Sequence, residues 1–244
     1  MSHDDERRQE LAAALATVRR RIEEACAAAG RDPAAVTLIA VTKSYPAADA
    51  VRLLSVGVAD LGENRDQEAS AKAAETDAIL RDSGESARPR WHFVGQLQRR
   101  KARSVAGYAS AVHSLDRVGL VGTLADSVSR LEHEPLDVFV QVSLDDDPTR
   151  GGVNADGLRE VVDAAAARSE LRLRGVMAVA PMDVDPDRAF ASLAETSARV
   201  SDWYPDATAI SAGMSGDLEA AIRNGATHVR VGTALLGRRE QNFG

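Results

Sequence analysis

Lys43 closes the apolar run Val36-Thr37-Leu38-Ile39-Ala40-Val41-Thr42, and Pro46 follows three residues later. A β-branched run of that length reads as a fully buried strand, so a lysine at its C-terminal end points into whatever site the strand tip helps to build. Lysine is the side chain that forms Schiff bases with aldehydes, and desolvation frees its amine for that chemistry. The competing reading is a lysine that merely keeps a strand end solvated. The far end of the chain weighs against it. There, Thr208-Ala209-Ile210-Ser211-Ala212-Gly213-Met214-Ser215-Gly216-Asp217-Leu218-Glu219 reads as a short strand, a Gly-rich turn and the start of an amphipathic helix, with Ser215 as the N-cap. Backbone N–H groups exposed in such a turn form an anion site. A second turn follows at Val231-Gly232-Thr233, where the Gly-Thr step lets the backbone approach a ligand closely.

The elements that must position these residues alternate, as in a parallel α/β sheet. A long amphipathic helix is expected over 6–29, stopped by Gly30 and Pro33. Strands are expected over 36–42, 58–62, 91–95, 111–115, 136–144, 173–179, 208–210 and 228–231. Helices are expected between them over 47–55, 67–81, 97–105, 117–131, 156–168, 186–203 and 215–224, with surface loops at 82–89 and 145–152. Eight strands in alternation predict a single (β/α)8 TIM barrel with an extra N-terminal helix, and 244 residues suit one domain over 1–244. Barrel enzymes place their sites at the C-terminal ends of the strands, with phosphate held after strands seven and eight. Lys43 ends strand one, beside strand eight in a closed barrel, so its amine and both anion turns should converge. The ligand implied carries an aldehyde and a phosphate. Pyridoxal phosphate fits, and so does a sugar phosphate handled by an aldolase or isomerase with a catalytic lysine.

Composition excludes other classes. A net charge of −7 argues against a chain whose business is coating nucleic acid, and Gln98-Arg99-Arg100-Lys101-Ala102-Arg103 reads as a solvated helical face. The lone Cys26 rules out a disulfide framework and a cysteine zinc cluster, and reads as a packing residue. The five histidines, His3, His92, His113, His133 and His228, lack metal-ligand spacing. Met1-Ser2-His3-Asp4-Asp5-Glu6 has no apolar segment behind it, and no apolar stretch is long enough to span a bilayer. A soluble cytoplasmic protein, without membrane or nucleic-acid partners, is expected.

Seven runs in order carry a family resemblance: 38–43 ending in Lys43, Gly62-Glu63-Asn64, Trp91-His92-Phe93-Val94-Gly95-Gln96-Leu97-Gln98, Val112-His113-Ser114-Leu115-Asp116, Leu173-Arg174-Gly175-Val176-Met177-Ala178, Gly213-Met214-Ser215-Gly216-Asp217-Leu218-Glu219-Ala220-Ala221-Ile222, and Val229-Arg230-Val231-Gly232-Thr233-Ala234. Together they resemble the pyridoxal phosphate homeostasis protein family, which is similar in fold to the N-terminal barrel of bacterial alanine racemase. The resemblance implies that pyridoxal 5'-phosphate (PLP) is the cofactor and that Lys43 carries the internal aldimine. It implies that Ser215 and the backbone around Met214, Gly232 and Thr233 hold the phosphate, that Arg230 meets the pyridine nitrogen and that Asn64 lines the ring. It implies a monomer that binds PLP and other B6 vitamers, balances their pool and touches apo PLP enzymes transiently. No catalytic residue and no metal is implied.

The rival is a PLP-dependent racemase or lyase. Alanine racemases take a second base from a C-terminal β domain, and a chain without such a domain after strand eight is expected here. For Arg230 the alternative is an ion pair with a carboxylate such as Glu63. His92 reads as a satisfied core histidine rather than a proton shuttle. Arg65, Arg100 and Ala212 depart from the family pattern, and the two arginines would make the pocket rim more basic.

Overall fold

A computed structural model describes residues 3–145, 147 and 150–237. The expectations for Met1 and Ser2, for Asp146, Pro148 and Thr149 of the loop at 145–152, and for 238–244 fall outside the described residues. Eight parallel strands close into a barrel in sequential order. They are β1 Thr37–Val41, β2 Asp60–Glu63, β3 Arg90–Phe93, β4 Ala109–Leu115, β5 Leu136–Gln141, β6 Leu171–Met177, β7 Ala209–Ser211 and β8 His228–Val231. Closure is made by β1 on β8, from Thr37 opposite His228 to Ala40 opposite Val231. The helices are α1 His3–Ala28, α2 Ala47–Ser55, α3 Asp66–Asp82, α4 Ala102–Ala106, α5 Val118–Leu131, α6 Leu158–Ala166, α7 Pro186–Trp203, α8 Leu218–Arg223 and α9 Thr233–Leu236.

Each strand expected from sequence is present, shifted by at most a few residues, and three differences have physical causes. The helix expected over 97–105 splits into a 3-10 turn at Arg99–Lys101 and the short α4, with Gln98 offering no side-chain cap. Ser215 is not the cap of α8. The helix starts at Leu218 after Asp217, whose Oδ1 accepts from Met214 N–H at 2.5 Å, so the turn closes on itself. The helix α9, unforeseen in sequence, begins right after Gly232, with Leu236 N–H donating to the Gly232 carbonyl at 2.9 Å.

Two apolar clusters bind helices to the barrel. One is built on β3 to β7 and α4 to α7 and includes Phe93, Leu115, Leu124 and Phe190. The other joins α1 to α2, β1, β8 and the last two helices through Leu11, Val18, Leu53, Val229 and Leu235. Cys26 is buried in it, as expected of a packing residue. Gly95 is required at the tip of β3, because a Cβ there would sit 2.1 Å from the Asn64 carbonyl oxygen.

The barrel interior is not the usual stack of branched apolar side chains. Phe139 stacks on His113 with centroids 4.3 Å apart, and His228 meets the same Phe139 edge-on at 5.2 Å. His92, as expected, is a buried and satisfied histidine: its Nδ1 lies 3.0 Å from His113 Nε2 and its Nε2 lies 2.9 Å from Asp60 Oδ1. Burial drives the His113 pKa well below the ordinary histidine value. It takes His228 down from 6.5 to about 4, against the opposing charge of Asp60.

The sign of the resulting pH dependence is fixed. Below pH 6.5 the unfolded chain protonates His228 while the folded chain stays neutral down to about pH 4, so stability is full above this window and falls within it. A gap of that size is worth about 3 kcal/mol. Urea unfolding measured across the window should show His228→Gln with a visibly shallower loss of stability than the unsubstituted protein, and identical slopes would contradict this account.

Candidate functional site

The tip of β1 is held on both sides of Lys43. The Thr42 N–H donates to the Gly62 carbonyl at 2.9 Å, and the Thr42 hydroxyl donates to Glu63 Oε1 at 2.6 Å. After Lys43 the chain turns sharply: Ser44 has φ 65°, a left-handed conformation, and its N–H donates to Glu68 Oε1. Lys72, on α3, ties these together. Its Nζ donates to the Thr42 carbonyl at 2.6 Å, to Glu63 Oε1 at 2.5 Å and to Glu68 Oε1 at 3.2 Å. Sequence reasoning missed Lys72, and its only signal was a lysine on the face of an otherwise Ala-rich helix stretch that packs inward.

The chain has three lysines, Lys43, Lys72 and Lys101. Lys72 is engaged by three acceptors and Lys101 pairs with Asp66 at 3.1 Å, whereas Lys43 is exposed and has no ion pair among the described residues. The free amine is therefore the one at the strand tip.

On the other side of the barrel seam, Gly213 takes φ 88° where a Cβ would collide with Ala221 at 2.6 Å. The turn that follows is pinned from outside by α1: Arg21 donates to Glu219 at 2.7 Å and to the Ser215 carbonyl at 3.0 Å. Ser215 Oγ accepts from Ala234 N–H at 3.3 Å, linking the two Gly-rich turns. The N–H groups of Gly232 and Thr233, at the start of α9, find no partner among the described residues. The Met214 N–H is already taken by Asp217, so that turn offers the Met214 side chain rather than its amide.

Arg230 is buried. Its two terminal nitrogens donate to Ser211 Oγ at 2.7 Å and to the Ala178 carbonyl at 3.0 Å. The ion pair with Glu63 that sequence left open is not formed: Glu63 Oε1 is held by Lys72 and Thr42, while Arg230 is held by Ser211 and Ala178. Burial lowers the Arg230 pKa to about 10, partly offset by Asp217, which leaves the guanidinium charged at neutral pH.

Lys43, Asn64, Met214, Ser215, Arg230, Gly232 and Thr233 all line one cavity of about 870 Å³, together with Tyr45, Val94 and Val179. Every residue that the sequence assigned to cofactor binding is thus brought to the same opening. The expected basic rim is not. Arg65 lines an adjoining cleft, and exposed Arg100 donates to Gln98 at 3.0 Å. Ala212 is buried behind the β7 tip.

The barrel and this cavity define a class: residues 14–240 match the family described as alanine racemase, N-terminal domain. Within that class, a pyridoxal phosphate homeostasis protein of Mycobacterium tuberculosis is 45% identical over 244 residues, covering 96% of this chain and 95% of the relative. The protein of that name from Escherichia coli is 35% identical over 95% of this chain and 97% of its own length. Among solved structures, PipY of Synechococcus elongatus with PLP bound superposes with a TM-score of 0.78 at 30% identity, over 93% of this chain and all of PipY. The chain belongs to the pyridoxal phosphate homeostasis protein family.

The lysine clamp yields a test of its own. Removing one partner of a buried pair strands the other charge, at a cost of roughly 3–5 kcal/mol. Lys72→Met should therefore lower unfolding free energy by about that much, and adding Glu63→Gln should restore part of it. A loss below about 1 kcal/mol would show that the clamp is not structural.

Proposed function

We propose that this chain holds PLP as a Schiff base at Lys43 and buffers or delivers it within the B6 vitamer pool, without turning over a substrate of its own. The observation that carries this reading is the single cavity that joins an unpaired lysine amine, a buried charged arginine, and the unpartnered N–H groups of Gly232 and Thr233. These residues fit PLP in chemistry, and the relatives' name and the PLP-bound PipY support the same cofactor. Bound there, PLP supplies an aldehyde for the amine and a ring that withdraws electrons.

The chain's own residues divide the work. Lys43 offers the nucleophilic amine. The Ser215 hydroxyl and the Gly232 and Thr233 amides receive the phosphate, Asn64 and Met214 wall the ring, and Arg230 meets the ring nitrogen. A guanidinium that keeps its charge disfavours a protonated ring nitrogen, which weakens the ring as an electron sink. A racemase would also need a second base opposite the lysine. Among the described residues, the other titratable groups lining the cavity are Arg230 and Tyr45, and the Tyr45 hydroxyl already donates to the Gly237 carbonyl at 2.8 Å. Both features favour a carrier over the alternative, a PLP-dependent racemase or lyase.

The same proposal covers the remaining expectations: one PLP-binding domain over 1–244, monomeric and cytoplasmic, in transient contact with apo PLP enzymes. No helix of the described residues is long and apolar enough to cross a membrane.

Added PLP should give the protein the near-visible absorbance of a Schiff base, and Lys43→Ala should abolish it while circular dichroism stays unchanged. A sugar-phosphate enzyme would show no such band. Ser215→Ala should weaken PLP retention about tenfold, since a hydrogen bond to a charged group contributes roughly 1.5–3 kcal/mol. Pyridoxal without its phosphate should bind correspondingly poorly to the unsubstituted protein, and equal affinity for the two aldehydes would remove the phosphate turns from the account. Robust turnover of alanine or serine, lost in Lys43→Ala, would replace the carrier by a racemase or lyase.

A further inference from the structure

A continuous line of side-chain hydrogen bonds runs through the barrel interior and ends on Arg230. It starts at Asp60, the first residue of β2, which also accepts from Arg90 at 2.7 and 2.5 Å. It passes to His92 on β3 at 2.9 Å and to His113 on β4 at 3.0 Å. From His113 Nδ1 it crosses the lumen to Ser211 Oγ on β7 at 2.8 Å, and from Ser211 it reaches Arg230 on β8 at 2.7 Å. Asp60 and Arg230 thus lie at opposite ends of the same polar core. Among the described residues, none of the ion pairs involves Arg230, so this line connects it to a carboxylate.

The two ends dictate the protons between them. An arginine can only donate and a carboxylate can only accept. Hydrogen bonds from His92 and Arg90 outweigh burial and hold the Asp60 pKa at about 2, so it is ionised at neutral pH. His92 then donates from Nε2, which leaves Nδ1 as an acceptor if the ring is neutral. His113 must donate from Nε2 to that acceptor, which leaves its own Nδ1 to accept from the Ser211 hydroxyl. The Ser211 lone pairs then face the guanidinium, and every donor meets an acceptor.

The alternative places two protons on His92, which reverses the His113 donor and directs it at Ser211. Ser211 Oγ would then receive from both His113 and Arg230, and its own proton would lack an acceptor among the described residues. A buried unpaired hydroxyl is costly. Phe139, stacked on His113 at 4.3 Å, hinders the ring from turning.

We propose that Asp60 is a positioning residue for Arg230: it holds His92 and His113 as Nε2–H tautomers, so that Ser211 presents only lone pairs to the guanidinium. With one terminal nitrogen fixed by Ser211 and the other by the Ala178 carbonyl, the guanidinium plane is set before any ligand arrives. The importance of that plane for PLP rests on the function proposed above. The proton arrangement itself does not.

The test uses the full chain without added PLP. Nitrogen-15 NMR near neutral pH should show both His92 and His113 neutral, each protonated at Nε2. The terminal guanidinium nitrogens of Arg230 should give separate signals, because rotation is blocked. Asp60→Asn should mix the tautomers and merge the Arg230 signals, and Asp60→Glu should restore both. Ser211→Ala should merge the Arg230 signals while leaving the His92 tautomer intact. A doubly protonated His92, or His113 protonated at Nδ1, in the unsubstituted protein would overturn the proposal, as would separate Arg230 signals persisting in folded Asp60→Asn. Failure of the protein to bind PLP would leave these signals as expected and would count against the cofactor reading alone.

Discussion

The pairing of β1 with β8 is the constraint on which the site depends. Residues 37–40 and 228–231 are nearly two hundred positions apart, and their parallel register brings Ala40 beside Val231. Closure therefore sets the Lys43 tip next to the Gly232–Thr233 step, so that an amine and an anion-ready backbone open on one cavity. The N-terminal helix serves the same seam. Arg21 reaches across to Ser215 and Glu219, so α1 braces the turn next to the seam, and Arg31, just past the end of α1, donates to the Ile222 carbonyl of α8 at 2.6 Å.

Around this seam the protein manages three cations differently. Lys72 is buried and fully engaged by Glu63, Glu68 and the Thr42 carbonyl, which makes it a structural clamp. Burial raises the Glu63 pKa, against the hydrogen bonds from Lys72 and Thr42. Arg230 is buried with neutral acceptors and stays charged. Lys43 alone is exposed and uncommitted. The division suits a protein that must keep one amine available while fixing everything around it.

Much of this was legible in the sequence because it is local. The run from Val36 to Thr42, the Gly-rich turn after Ser211 and the Gly232–Thr233 step each announce themselves by residue type and spacing, and their convergence follows once the barrel is assumed. What was hidden is what depends on contacts between distant elements. Nothing local to Lys72 signals that it reaches from α3 to the Thr42 carbonyl. His92 and His113 are twenty-one positions apart, and nothing in their spacing signals a line to Arg230. Asp217 rather than Ser215 stands before α8, and the Ser215 hydroxyl instead accepts from Ala234 N–H, a link between distant turns that local spacing does not announce. Arg65 and Arg100 were expected at the rim because of their place in the sequence, but Arg65 lines an adjoining cleft and Arg100 donates to Gln98.

The most direct test of the central claim is chemical. Borohydride reduction of the PLP-loaded protein, followed by peptide mapping, has only three lysines to choose among. The account predicts one pyridoxyl group per chain, on Lys43. A label on Lys72 or Lys101, or no label at all, would contradict it.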